Sequence, residues 1–68
     1  MELSARNQLK GTIKAVKTGA VMAEITVHIE GGDVTAAITD TSRERLALKD
    51  GDQVTVIIKS TEVMIGKG

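Results

Sequence analysis

The chain has no phenylalanine, tyrosine or tryptophan, and no cysteine, among its 68 residues. Without aromatic rings, a surface for stacking nucleic-acid bases has nothing to stack them on. Without thiols there is no disulfide framework, thiolate zinc site or sulfur nucleophile, and a lone histidine makes a poor transition-metal site. Charge of one sign is also missing. Nine basic and nine acidic side chains leave a net charge of zero, so no broad field draws in nucleic acid or anionic lipid. No apolar run approaches the roughly 20 residues of a membrane span, and Met1-Glu2-Leu3 does not open a signal peptide. The expectation is one soluble, cytoplasmic domain across residues 1–68.

These absences also leave the chain short of core. Only Val, Ile, Leu, Ala and Met are available for burial, and domains this small ordinarily rely on aromatics, disulfides or metals. Association is the remaining way to cover enough apolar surface, which predicts an obligate homo-oligomer.

What is present mostly alternates. Leu9, Gly11, Ile13 and Ala15 fall on one face of a first strand, opposite Lys10, Thr12 and Lys14. Gly11 marks either a bulge or a close backbone approach. Val21, Ala23, Ile25, Val27 and Ile29 define a second strand, and Gly31-Gly32 suits a tight hairpin. Val34, Ala36 and Ile38 give a third strand. Thr41-Ser42-Arg43-Glu44 fits a capping box, predicting one or two helical turns that drop Leu46, with Leu48, onto the sheet. A fourth strand spans Gln53 to Lys59, with Ile57 breaking its polar face, and a short fifth is expected at Val63-Met64-Ile65. The fold class is therefore all-β: a five-stranded OB-type barrel with one short helical turn between strands 3 and 4. A small SH3-like barrel fits the same element order.

Two polar clusters stand apart from the alternation. Ser4-Ala5-Arg6-Asn7-Gln8 precedes the first strand, and Lys59-Ser60-Thr61 follows the fourth. Both are rich in hydrogen-bond donors and neither contains an acid. A tetrahedral dianion such as molybdate, tungstate or sulfate has four acceptor oxygens and no proton to give, so its site must offer donors and positive charge. Arg6 provides a fork for two oxygens and Lys59 a compact charge. Ser4, Ser60, Thr39 and Ser42 add hydroxyls, and backbone N–H groups at Ser60 or around Ser42 extend the set. Monohydrogen phosphate carries a proton that needs an acceptor, and a donor-only pocket rejects it. Taken singly, each residue has a structural reading: a solvated arm, an edge-guarding lysine, a helix cap, a strand threonine. The functional reading requires them to converge.

The octet Ser4-Ala5-Arg6-Asn7-Gln8-Leu9-Lys10-Gly11 closely resembles the opening motif of the molbindins, the small Mop-domain proteins. The resemblance continues through Ala37-Ile38-Thr39 and Leu48-Lys49-Asp50-Gly51. It ends with Ile58-Lys59-Ser60-Thr61-Glu62-Val63-Met64-Ile65, and so covers essentially the whole chain. It implies an OB-fold subunit in a homohexamer, a trimer of dimers, that holds molybdate or tungstate between subunits for storage or homeostasis. On that pattern Ser4 and Arg6 match the opening oxyanion ligands and Lys59 and Ser60 the closing pair. Thr39 and Ser42 resemble the contribution of a neighbouring copy.

Two other readings fit less well. An OB-fold oligonucleotide-binding module would want aromatics over a basic groove. An enzyme built on Lys59 and Ser60 conflicts with the opposite directions of neighbouring strand side chains, and His28 reads as a solvated residue on a polar face. The expectation is a binding protein and not an enzyme.

Overall fold

The computed structural model describes residues 2–68, so Met1 of the opening tripeptide lies outside the described residues. The elements are β1 (Asn7–Lys17), β2 (Met22–Ile29), β3 (Gly32–Thr39), α1 (Asp40–Leu46), β4 (Gln53–Ile58) and a 3₁₀ turn at Ser60–Glu62. The strands form one antiparallel sheet in the order β3-β2-β1-β4. β1 serves both halves. Its first part, Asn7 to Thr12, pairs with β4, and its second, Gly11 to Lys17, pairs with β2.

Gly11 lies in the overlap, opposite both Ile29 and Val54. A Cβ there would come within 2.6 Å of the His28 carbonyl oxygen and 2.7 Å of Val27 Cγ1. Of the two roles open to Gly11, the structure uses it for close approach. The bulge lies three residues on, where the register shifts between Ile13 and Ala15. The extra residue, Lys14, reverses the alternation. Ile13 is the most buried side chain at 1% exposure, but Ala15, expected inside, is exposed and Val16 takes the half-buried position. The turn before β4 completes the bulge: Ile13 N donates to Asp52 O and Gly51 N to Ile13 O, both at 2.8 Å.

β2 is the core strand, with Ala23, Ile25 and Val27 buried against Ile13. Val21 falls before the strand and is exposed. The β2–β3 hairpin turns through Glu30-Gly31, and Gly31 takes the left-handed φ of 94° that this turn needs. Val34, Ala36 and Ile38 alternate inward on β3 as expected.

The helix starts earlier than the sequence suggests. Its N-cap is Thr39, whose Oγ1 accepts from Ser42 N at 3.1 Å and donates to Ser42 Oγ at 2.8 Å. The expected Thr41–Glu44 capping box does not form, because Thr39 supplies the cap first and Glu44 instead faces Arg43. Asp40 is tied down on two sides, with its N–H on Val21 O at 2.8 Å and its carboxylate 2.7 Å from Arg43 Nε. Ala47 ends the helix in the left-handed region (φ 52°), with Ala47 N on Glu44 O and Leu48 N on Arg43 O. That reversal turns Leu48 inward to pack on the core, whereas Leu46 stays 60% exposed.

The expected fifth strand is not there. After the 3₁₀ turn, Val63, Met64 and Ile65 run out unpaired, with Met64 92% and Ile65 90% exposed. The sheet curls but ends in free edges at β3 and β4, so the chain forms four strands of the expected five. Ile13, Ile25, Val27, Ala36, Ile38 and Val56 line an apolar groove of about 270 Å³ on its inner face.

Two predictions follow from this packing. Gly11→Ala should destabilise the fold by about 1–3 kcal/mol, read as a lowered urea midpoint, because the clash is with backbone as well as side chains. The second concerns acid. Asp33 is held below the ordinary 3.8 by its hydrogen bonds to Lys14 and then His28, and Asp40 below it by Arg43. A carboxylate whose folded pKa is depressed stabilises the fold fully above its unfolded value and ceases to do so as pH falls through the folded one. The urea midpoint should therefore hold down to about pH 4 and fall below it. The double substitution Asp33→Asn, Asp40→Asn should make that fall shallower.

Candidate functional site

The last pair of the β1–β4 ladder is Asn7 opposite Ile58. One residue beyond it on each side stand Arg6 and Lys59, so strand register sets the two cations at one corner of the sheet. Ser4 precedes Arg6, and Ser60 opens the 3₁₀ turn after Lys59. All of Ser4, Arg6, Lys59 and Ser60 are exposed. The sequence holds these four as two pairs far apart, and the structure brings the pairs to one end of one strand pair.

Local hydrogen bonds shape this corner. Asn7 Nδ2 donates to Ile58 O at 3.2 Å, and Gln8 Nε2 donates to Ala5 O at 2.8 Å. Lys59 is extended (φ −64°, ψ 136°), and its carbonyl accepts from Glu62 N at 2.9 Å, closing the turn. The ion pairs among the described residues are Lys14 with Asp33 and Arg43 with Asp40 and Glu44, and His28 Nδ1 lies 3.0 Å from the Asp33 carboxylate. Neither Arg6 nor Lys59 takes part in any of them. Two cations with adjacent hydroxyls and no bound carboxylate are suited to gripping an anion, since no internal pair has to be broken first. The sequence shows Asn7 and Gln8 as part of the opening polar cluster but not these bonds, and the structure makes them the first two residues of β1, directly after Arg6.

Thr39 and Ser42 lie elsewhere. Thr39 pairs with Met22 at the start of β2, and the nearby Glu24 pairs with Lys17, the far end of β1. β1 has 11 residues, so roughly 30 Å of strand separates its Lys17 end from the Arg6 corner. One chain does not join the two groups. Within the chain Thr39 spends its proton on Ser42 Oγ, and the Ser42 N–H is taken by Thr39. The Ser42 hydroxyl hydrogen is what this cap leaves to offer. His28 is exposed on the outer face, with Nδ1 3.0 Å from Asp33 Oδ1, beside the 2.7 Å Lys14–Asp33 pair. This cluster is separate from the Arg6 corner.

The TOBE domain family matches residues 3–65. The chain is 54% identical over 66 residues to molybdenum-pterin-binding protein 3 of Clostridium pasteurianum, spanning 96% of this chain and 97% of that one. Its structure resembles a molybdate-binding protein from Sporomusa ovata, with TM-score 0.93 and 42% identity over 98% of this chain and 100% of the other. It also resembles the cytoplasmic molybdate-binding protein ModG, solved with molybdate bound. There the TM-score is 0.82 at 43% identity, over 88% of this chain and 43% of that one. The family match over most of the chain and the near full-length identity place it: the chain belongs to the TOBE domain family, among its small Mop (molbindin) proteins.

Proposed function

We propose that this protein binds molybdate or tungstate between copies of itself, as a cytoplasmic store or buffer of the oxyanion. The observation that carries this reading is the corner where the Asn7–Ile58 pair sets Arg6 beside Lys59, flanked by Ser4 and Ser60 and without an acid bound to either cation. The similar proteins add support, since two are described as molybdate-binding and one was solved with molybdate in place. Thr39 and Ser42, at the opposite end of the sheet, belong to this site from a neighbouring copy, Ser42 through its remaining hydroxyl hydrogen and Thr39 as the cap that orients it. Another relative's name speaks of molybdenum-pterin. A chain with no aromatic residue has no ring on which to stack a pterin, whereas this corner suits a bare tetrahedral dianion.

Assembly follows from the unfinished sheet. The groove between the free edges is apolar, and the Val63-Met64-Ile65 segment is apolar and exposed. Each exposes what the other lacks, so the segment of one copy completes the barrel of another, within a homohexamer built as a trimer of dimers. An anion held between chains then stabilises the assembly by mass action, by about 2.7 kcal/mol at a hundredfold excess over Kd.

Calorimetric titration with molybdate tests the site. The protein should bind, and Arg6→Ala should weaken binding at least about tenfold while leaving the circular dichroism spectrum intact, because Arg6 lies outside the core. Equal affinity in the variant removes Arg6 from the site. Light scattering tests the assembly. Ile65→Asp should shift the solution mass toward smaller species, and an unchanged mass removes the segment from the interface.

A further inference from the structure

We infer that Asn7 and Gln8 are positioning residues of the oxyanion site, each fixing the peptide group just ahead of one of its cations. The inference rests on the reading of the Arg6–Lys59 corner given above. A peptide is planar and trans, so pinning its carbonyl fixes the direction of the following N–H and the path into the next Cα. Gln8 Nε2 donates to Ala5 O at 2.8 Å, and the peptide so held is the one that leads into Arg6. Asn7 Nδ2 donates to Ile58 O at 3.2 Å, and that peptide leads into Lys59. Two neighbouring carboxamides therefore perform the same task on two segments about fifty residues apart in sequence, as the separation of 51 for the Asn7 bond records.

The constraints tighten around each cation. On the first wall, the Gln8 bond closes a loop over Ala5 to Gln8, with Arg6 inside it. On the second, the Lys59 carbonyl is also fixed by Glu62 N at 2.9 Å, so Lys59 is held on both sides. A long cationic side chain loses much rotamer freedom on binding. A backbone already fixed at its root lowers that cost, which is how preorganisation raises affinity. Neither carboxamide carries charge, so this contribution is separable from the Coulombic attraction of Arg6 and Lys59.

The test is calorimetric titration with molybdate at several ionic strengths. Gln8→Met and Asn7→Leu keep side-chain size and remove the donor. Each should weaken binding by about two- to tenfold, the range expected for one hydrogen bond. The dependence of affinity on salt should stay that of the unmodified protein, whereas Arg6→Ala should flatten it. Gln8 is exposed, so Gln8→Met should keep the ligand-free unfolding midpoint and solution mass, and it separates positioning from folding even if Asn7→Leu is destabilised. Molybdate affinity unchanged in both variants overturns the inference. So does an affinity loss that only tracks a lower unfolding midpoint or a smaller assembly. If the unmodified protein itself ignores molybdate, the binding reading fails first and takes this one with it.

Discussion

Gly11 stands where β1 is paired on both edges at once, with Ile29 on one side and Val54 on the other. The backbone of β2 approaches so closely that any Cβ would meet the His28 carbonyl oxygen. Because β1 can run through this point, one strand joins β4 at its start to β2 at its end, and the sheet curls over Ile13, Ala23, Ile25 and Val27. The bulge at Lys14 then reorients the remainder of β1, and the Gly51–Asp52 turn satisfies the backbone it disturbs. The fold is thus hung on a single strand whose two halves have different partners.

The candidate site inherits its geometry from that arrangement. β1 and β4 finish level with each other at Asn7 and Ile58, which is why a residue near the amino terminus meets one more than fifty positions later. The helix cap at Thr39 sits past the other end of the same strand. The proposed pocket is therefore split by the length of β1, and joining its parts needs a second copy. The core points the same way: among the described residues, four buried apolar side chains and an open groove are little for a domain to stand on alone.

Much of this was legible in the sequence. The alternation of β2 and β3 gave their inward faces, and Gly31-Gly32 the hairpin, because those signals are local. What escaped notice depended on contacts across the fold. Ala15 reads as an inward residue until the bulge at Lys14 is known. Thr41 reads as a cap until Thr39, one residue past the β3 pattern, takes the role. Leu46 reads as inward beside Leu48, but only Leu48 packs on the core, because Ala47 adopts a left-handed turn that alanine rarely takes. Val63 to Ile65 have strand composition but stay unpaired, leaving the β3 and β4 edges of their own chain free. At the candidate site, the octet and the Lys-Ser-Thr run were visible as donor clusters. Their adjacency was not, since it comes from the β1–β4 register, and the work of Asn7 and Gln8 is written in bonds to carbonyls that every residue possesses.

Arg6 and Lys59 standing level at one corner has an energetic corollary. Among the described residues neither cation is paired with a carboxylate, and like charges brought near each other repel. On the proposed function, a dianion between the two sets two attractions against that repulsion. The hold of neighbouring copies on one another would then gauge how much oxyanion is at hand.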